Sequence, residues 1–559
     1  MAVLKKKLMA DMEGLSAGMD FIEDALTKFR FRHKEIQEAL LLSEESIVRL
    51  IENAPEGSTL HLSVKTHRQL ATIKISVPGP ELSALSGGLD INLENSDMDR
   101  ESETAIRAML LKSFENKMKY AHKGKYNFIM VTAGSPERVL AVEALSAFFL
   151  ALVVGAVFLL LPPTFRLKVD SFLLQPVQTV FINLLRLSAA PAVFFSIITS
   201  VANYASFSDP GRVSVKVLIG YIATSIASVF VGLAVFRMIQ PGLPGAMANF
   251  VEQSVQSAPV SDASSILMTL VNIVPTNIID PFLTVNTLQL IFLALIFGLA
   301  LGRTGGYSAP LRTAAEALGT LCSKVTGLIN GVVPFVVFCS TISIMVNIGI
   351  SSLVALDRMV ITVLCGLAGM ILLYLLVMLV IGRLNPLMFL RKYASTMLET
   401  FLLGSGVAAL PKTIRCCKNS LGISPKVYSF SIPFGAMANM DGNCIYLTVA
   451  GLFLARMCGV ELFSSEILPL VFTIIILSIG APMASGTVLL CMSVLLDQMG
   501  VSLTAVSLIL GVNAVVEMLL AMSNTLGDVA ITLTVARTEK LLDTDAYYAR
   551  PRAGRRKGK

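Results

Sequence analysis

Residues 511–530 read GVNAVVEMLLAMSNTLGDVA, a segment in which four strongly polar side chains interrupt an apolar background. The four are Asn513, Glu517, Asn524 and Asp528, at successive spacings of 4, 7 and 4 residues. At about 100° per residue, an α-helix places them within an arc of about 60°. The surrounding run, from about 504 to 537, is long enough to cross a bilayer. The pattern therefore predicts a spanning helix with one polar face turned inward.

Three carboxylates fall inside apolar runs, namely Asp441, Glu517 and Asp528. A charged group at membrane depth costs several kcal/mol unless it is paired, which favours a functional reading over a purely structural hydrogen-bonding role. Neither 427–455 nor 504–536 contains a lysine, arginine or histidine. A metal cation or a proton is then the natural counter-charge, and small hard cations prefer oxygen ligands.

The composition places the chain among membrane proteins. Hydrophobic residues make up 54% of it, charged residues 15%, and the mean hydropathy is +0.72. A net charge of +7 would suit nucleic acid, but no basic stripe is interleaved with stacking aromatics, so no nucleic-acid partner is expected. A basic tail at 541–559 instead indicates the cytoplasmic side of an inner membrane.

Histidine and cysteine positions argue against an enzyme. All four histidines precede residue 123, whereas all eight cysteines lie in the apolar part without CxxC spacing. The apolar part therefore offers no Cys/His catalytic pair, zinc site or disulfide framework. Because no apolar segment follows Lys5-Lys6-Lys7, no cleavable signal is predicted, and the N-terminal domain is expected in the cytoplasm, as is the C-terminus.

Two parts are predicted along the chain. Residues 1–137 are expected to form a small soluble α+β domain, with helices near 14–30, 43–53 and 104–120 and strands at 60–64, 71–77 and 126–131. Bilayer-length apolar runs follow at 139–162, 175–205, 213–239, 282–302, 326–350 and 358–383.

Beyond about residue 385 the apolar runs are broken by polar or conformationally special residues. The breaks are Gly404-Ser405-Gly406, Asn439-Met440-Asp441-Gly442-Asn443 and Ser478-Ile479-Gly480-Ala481-Pro482. Freed backbone groups are not tolerated against lipid, but they survive where they line a protected cavity. Recurrent broken segments are typical of a transporter's binding site. A further cluster, Tyr221, Thr224 and Ser225, is weak by itself because hydroxyls often bond to their own helix.

These motifs, in this order, resemble the dicarboxylate/amino acid:cation symporter family, the glutamate transporter family, over about residues 138–540. Asn439–Gly442 matches the family's seventh-helix signature, and Asn524 with Asp528 fits its eighth helix. Ala408–Pro411 follows the tip of the first re-entrant hairpin, and Ser478–Gly480 opens the second. Tyr221, Thr224 and Ser225 match a sodium-binding cluster in the third helix, which reverses the weak reading above.

The resemblance implies an all-α polytopic membrane protein with eight transmembrane helices and two re-entrant helical hairpins. It also implies a homotrimer in the lipid bilayer and an elevator-type movement. Sodium is the implied coupling ion, with a proton left open. The implied cation ligands are Tyr221, Thr224, Ser225, Gly435, Met437, Asn439, Met440, Asp441, Ser478, Ile479, Asn524 and Asp528.

The departures from the family pattern concern the substrate. Leu520 stands where acidic-substrate members hold an arginine, and Glu517 stands where amino-acid carriers place an aspartate for the substrate ammonium. A substrate carboxylate facing leucine would go unpaired, which favours a small neutral amino acid. An acidic amino acid or C4-dicarboxylate is the first alternative, and a solute-binding membrane sensor is the second. The expected substrate contacts are Gly404, Ser405, Gly406, Asn443, Ala481, Pro482, Asn513, Glu517, Leu520, Ala521 and Asn524.

Residues 1–137 distantly resemble the ATP-binding fold of histidine kinases, and residues 41–53 are similar to the first motif of that fold. Arg49 stands where that motif has asparagine, and the acidic box reads Val77-Pro78-Gly79-Pro80. A degenerate domain that does not act as a kinase is expected. Its ligand or partner is unknown from the sequence.

Overall fold

The computed structural model describes residues 2–29, 31, 33–55, 57–67, 70–80, 118–134, 136–205, 212–247, 274–283, 286–302, 308–347, 349, 351–460, 464–479 and 487–549. The chain divides into two compact units, Met1–Val139 and Leu140–Lys559. Each unit is described by itself.

The first unit pairs two helices with an antiparallel sheet. Its elements are β1 (Ala2–Met9), α1 (Met12–Lys28), α2 (His33–Glu52), β2 (Thr59–His67), β3 (Leu70–Pro78), β4 (Met118–Lys123) and β5 (Tyr126–Ala133). The five strands lie in the order β1-β2-β3-β5-β4, and every neighbouring pair is antiparallel. Alternate residues of the strands, such as Leu62, Ile73 and Ile129, are buried against apolar residues of α1 and α2. One face of the sheet therefore carries the core of this unit.

The sheet differs from the sequence prediction in two places. Strand β1 was not predicted, because its three consecutive lysines hide the alternation of Leu4, Lys6 and Leu8 toward the core. Residues 118–120 begin β4 instead of ending a helix, and Met118 and Tyr120 pack on the core. The rest of the helix predicted at 104–120 lies outside the described residues.

The second unit is helical. Its elements are α3 (Pro136–Phe158), α4 (Pro163–Val169), a π-helical turn (Asp170–Leu174), α5 (Gln175–Ala205), α6 (Arg212–Ile239), α7 (Asp280–Leu283), α8 (Thr287–Gly302), α9 (Ser308–Asn330), α10 (Val333–Asn347), α11 (Ser351–Val380), α12 (Pro386–Leu403), α13 (Gly406–Asn419), α14 (Pro425–Ala438), α15 (Asp441–Met457), α16 (Ser464–Ile479), α17 (Thr487–Gln498), a 3-10 turn (Leu503–Ala505), α18 (Val506–Thr538) and α19 (Thr544–Tyr548).

Within the described residues, four helices are long and apolar enough to cross a membrane. They are Pro163–Thr199, Arg212–Ile239, Ala355–Val380 and Leu503–Thr538. The span predicted at 326–350 is broken instead: Pro310–Asn330 and Val333–Asn347 meet at 50° and make a fifth span if counted as one. The break falls at Gly331 and Val332, just before Pro334, which has no N–H to bond the carbonyl of Asn330 and whose ring would clash with it. A helical protein with several membrane spans is therefore confirmed at that level.

Helix α18 is the centre of one bundle, where it packs against α6, α11, α12, α13, α14 and α15. Helices α12 and α13 form a hairpin that turns at Gly404 and Ser405. Helices α16 and α17 pack on each other as a second hairpin, whose turn lies outside the described residues. The break between α14 and α15 is at Asn439 and Met440, so three interrupted segments surround one continuous polar helix.

The segment after α18 fastens several elements of this bundle. Ser424 N donates to Leu541 O at 3.0 Å, and Tyr547 donates its hydroxyl proton to Asn385 O at 2.8 Å. Lys392 donates to the carbonyls of Ser420 at 2.8 Å and Ala546 at 2.7 Å. Residues 541–549 therefore join the base of the first hairpin to the start of α14.

Replacing Lys392 by methionine is expected to weaken the attachment of residues 541–549 to the first hairpin. The two carbonyls would lose a charged donor, a change that costs about 1–3 kcal/mol. The apparent Tm of the full chain, read with a thiol-reactive dye that reports exposure of its buried cysteines, should fall. The exposed neighbour Arg391, also changed to methionine, is the control and should leave the Tm unchanged. Equal Tm values for both variants and the parent would contradict the structural role of Lys392.

Candidate functional site

The break in the α14–α15 segment provides backbone groups at the centre of the bundle. Asn439 (φ −105°, ψ 77°) and Met440 (φ −105°, ψ 57°) are both non-helical. The Met440 carbonyl accepts a hydrogen bond from the Ser478 hydroxyl at 2.7 Å. Ser478 is near the end of α16, so the second hairpin is joined directly to the break.

Asp441 is the first residue of α15 and is fully buried. Ser225, on α6, donates to its Oδ1 at 2.9 Å, and Tyr374, on α11, donates to its Oδ2 at 2.5 Å. Its position at a helix N-terminus also favours a negative charge. Both donors are neutral hydroxyls, however, so the carboxylate has hydrogen bonds without a compensating positive charge.

Asn439 connects this group to the second carboxylate. Its Nδ2 donates to Asp528 Oδ1 at 3.0 Å, and its Oδ1 accepts from the Thr224 hydroxyl at 3.1 Å. Asp528 is also buried, at 1% exposure. Tyr221 closes the cluster by donating its hydroxyl proton to Ser431 O at 2.9 Å. Residues from α6, the α14–α15 break and α18 thus form one hydrogen-bonded cluster, which we term the carboxylate cluster.

The carboxylate cluster contains oxygen ligands but no basic group. Among the ion pairs of the described residues, none involves Asp441 or Asp528. Desolvating two carboxylates without a cation is unfavourable, because hydrogen bonds alone do not replace the lost hydration of the charge. No group of three or more His, Cys, Asp and Glu side chains is assembled in the described part of the chain, so the oxygen donor set suits a hard metal cation or a proton, not zinc.

Gly435 is a position where close packing around the carboxylate cluster excludes a side chain. A Cβ added there would lie 2.5 Å from Asp528 Oδ1 and 2.7 Å from the Tyr221 hydroxyl oxygen. These distances are too short for any side chain. Glycine at 435 therefore lets α14 approach both groups. Met437 lies half-buried in the last turn of the same helix.

Asn524 lies on α18 one turn before Asp528 and contacts the start of α15. Its Oδ1 accepts from Gly442 N at 2.7 Å, and its Nδ2 donates to Asn443 Oδ1 at 3.3 Å. Asn443 also donates to the Met440 sulfur at 3.2 Å. The side chain of Asn524 therefore fixes the N-terminus of α15, a role that the sequence did not indicate.

The remaining polar residues of α18 form a separate chain of contacts. Asn513 accepts from the Tyr446 hydroxyl at 3.1 Å and donates to Glu517 Oε1 at 3.0 Å. Leu520 is 1% exposed and its backbone lies beside Gly442, while Ala521 is buried one residue on. The polar face predicted on α18 thus divides into two groups with separate partners, Asn513 with Glu517 and Asn524 with Asp528.

The first hairpin turn lies along the same helix. Gly404 adopts φ +64°, which glycine allows, and a Cβ there would be 3.3 Å from Met518. Ser405 caps α13 by accepting from Ala408 N at 3.3 Å, and Gly406 approaches Thr525. Among the remaining expected contacts, Ala481 and Pro482 lie outside the described residues, as does the side chain of Ile479.

The structure adds three residues that sequence reasoning missed. Tyr374 donates directly to Asp441, and the Thr532 hydroxyl donates to the Ser431 hydroxyl at 2.8 Å beside the carboxylate cluster. Thr532 continues the α18 stripe four residues beyond Asp528, so its periodicity was a usable signal. Tyr374 stands alone in an apolar run and belongs to no polar periodicity, so the sequence contained no signal for its role.

Gly435→Ala is expected to disrupt the carboxylate cluster. The new methyl must displace Asp528 or Tyr221, and such overpacking costs about 1–3 kcal/mol. The thiol-dye assay should show a lower Tm. Gly327→Ala is the control, since nothing lies within 4 Å of its added Cβ and alanine is the better helix former. The account of the packing fails if the two variants unfold at the same temperature.

Comparison with known proteins identifies related chains for the second unit. A family model described as "Sodium:dicarboxylate symporter family" matches residues 140–538. The chain is similar to a "C4-dicarboxylate transport protein" of Rhizobium etli, 28% identical over 382 residues that cover 66% of this chain and 84% of that relative. It is also similar to the "Proton/glutamate-aspartate symporter" of Escherichia coli, 25% identical over 378 residues that cover 66% and 86% respectively. A "C4-dicarboxylate transport protein" of Brucella anthropi is 28% identical over 387 residues, covering 67% and 85%.

Proposed function

The chain belongs to the sodium:dicarboxylate symporter family, and on that premise we propose that it couples sodium entry to uptake of a small neutral amino acid. The observation that carries the cation half is the carboxylate cluster, in which Asp441 and Asp528 are buried without an ion pair among the described residues. A cation that enters with the substrate would supply the missing charge.

Membership of the family establishes the general class of this protein. The chain is a cation-coupled symporter for a small molecule and a multi-pass membrane protein, and it is a transport protein, not an enzyme. The membership predicted from the motifs at 439–442 and 524–528 is therefore confirmed. The histidine-kinase-like reading of residues 1–137 has no such support, because the family match begins at residue 140.

Sodium is proposed as the ion because of the chemistry of the available ligands. Carboxylate, amide and hydroxyl oxygens converge from Asp441, Asp528, Asn439, Thr224 and Ser225. Several oxygens at once suit a hard metal ion, whereas a proton needs only one carboxylate. A proton is the alternative, since one relative is named for proton coupling.

The substrate proposal rests on the face of α18 between Asn513 and Asp528. Its sequence contains no lysine, arginine or histidine, and Leu520 is buried in it. A second substrate carboxylate in contact with this face would lack a cationic fork, while Glu517 can pair with a substrate amine. An acidic amino acid or a C4-dicarboxylate is the second candidate, because the relatives named above are two C4-dicarboxylate transport proteins and a proton/glutamate-aspartate symporter.

Further features are proposed from the resemblance. They are eight transmembrane helices, a homotrimer, an elevator movement of the bundle around α18, and cytoplasmic termini. In this scheme residues 138–540 form the transport domain, 1–137 a cytoplasmic domain and 541–559 a cytoplasmic tail.

Uptake into proteoliposomes under an inward sodium gradient, or under a proton gradient without sodium, tests the ion. Sodium-driven accumulation is expected for the parent chain. Asp528→Asn is expected to lower it at least about tenfold, because the cation loses a charged ligand. Asp497→Asn is the control, at an exposed position near the end of α17. Accumulation driven only by the proton gradient would contradict the sodium assignment, and ligand binding without any accumulation would indicate a sensor.

Two variants on α18 test the substrate. Glu517→Gln should abolish uptake of neutral amino acids, because the amine loses its carboxylate partner. Leu520→Arg should shift preference toward C4-dicarboxylates by about tenfold or more, since a bidentate pair becomes available. Leu520→Met controls for packing. Efficient uptake of succinate by the parent chain, unaffected by Glu517→Gln, would overturn the neutral amino acid proposal.

A further inference from the structure

The sheet of the first unit has two unlike faces. Helices α1 and α2 pack on one face, which contains the buried core. The strand register shows which residues share the other face: Lys5 pairs with Ser63, Ser63 with Lys74, Lys74 with Met130, and Met130 with Lys119. Directly paired residues point to the same side of a sheet. This row has one residue on each of the five strands, and three of the five residues are lysines.

Neighbouring rows add three more lysines to this side. The six exposed lysines, which we term the lysine face, are Lys5, Lys7, Lys65, Lys74, Lys119 and Lys123. No aspartate or glutamate belongs to this side of the described strands. Three exposed apolar side chains lie on the same side of the sheet, namely Val3 and Met9 on β1 and Tyr126 at the start of β5.

We propose that the lysine face docks on the anionic headgroups of bilayer phospholipids. Charge complementarity supports this partner, since clustered lysines are attracted to an anionic leaflet. The basic groups are all lysines, which act as point charges on phosphate and lack the planar fork used to recognise specific groups. Exposed apolar side chains on the same side fit the boundary between headgroups and acyl chains.

The connection to the membrane unit adds a second argument. Only Gly134 and Ser135 separate β5 from α3. The sheet is therefore covalently part of a membrane protein, and such tethering raises the effective concentration of headgroups that it meets. Many weak lysine contacts suffice under that condition.

Single-stranded nucleic acid is the competing partner of similar charge. Base stacking needs open aromatic rings. The half-buried Phe128 has the Lys74 ammonium 4.2 Å from its ring centroid. The exposed Tyr126 ring packs against the rings of Phe128 and His61, each at a centroid distance of 6.3 Å, so both aromatic rings already have partners. The lysine face therefore favours phosphate contacts without stacking.

Lysine footprinting of the full chain in nanodiscs tests the proposal. The protein is placed in phosphatidylcholine alone or in phosphatidylcholine with phosphatidylglycerol, and acylation of each lysine is read by mass spectrometry. Lysines of the lysine face should react about threefold or more slowly in the anionic discs, and the difference should vanish at high salt. Lys28, exposed on α1, is the internal control and should react equally in both.

A triple variant, Lys5→Gln with Lys74→Gln and Lys119→Gln, removes the central row. The remaining Lys7 and Lys65 should then react alike in both lipids. An unchanged pattern of lysine reactivity in phosphatidylcholine shows that the variant has folded. Equal reactivity of the parent chain in both lipids overturns the proposal, and protection by oligo(dT) in phosphatidylcholine discs would assign the surface to nucleic acid instead.

Discussion

Burial of two carboxylates without a basic partner among the described residues is the constraint on which the second unit depends. Asp441 and Asp528 are surrounded by hydroxyl and amide groups from α6, α11, α18 and the α14–α15 break. A purely structural arrangement would pair each carboxylate with lysine or arginine, because an uncompensated charge is costly at this depth. A site with uncompensated negative charge is instead suited to bind and release a cation. Transport requires both steps.

The fold supplies this site by interrupting helices where they meet α18. Non-helical backbone at Asn439 and Met440 exposes carbonyls, and Ser478 carries one of these contacts into the second hairpin. Gly435 lets α14 approach Asp528, while Asn524 holds the start of α15. A movement of the second hairpin would therefore change the geometry of the carboxylate cluster. A symporter needs this kind of coupling between its hairpin and its cation site.

Sequence patterns predicted the structural features that depend on a single helix or a single motif. The α18 stripe follows from 3.6-residue periodicity, and the break at 439–443 follows from polar residues in an apolar run. Tyr374 could not be found this way, since its pairing with Asp441 depends on how two helices distant in sequence pack. Strand β1 was missed because exposed lysines occur consecutively, and the bend at Gly331 because the flanking runs are equally apolar. Residues 41–53 suggested a nucleotide-binding fold, and that interpretation stays a prediction, since the family match begins only at residue 140.

Thermal unfolding of the full chain in sodium chloride and in choline chloride of equal ionic strength tests the central claim most directly. Sodium that binds only the folded carboxylate cluster should raise the Tm progressively with concentration, by mass action. Asp441→Asn should abolish this rise while leaving the Tm in choline chloride similar or higher. Identical Tm values in the two salts at every concentration would contradict the account, because the buried carboxylates would then need no sodium.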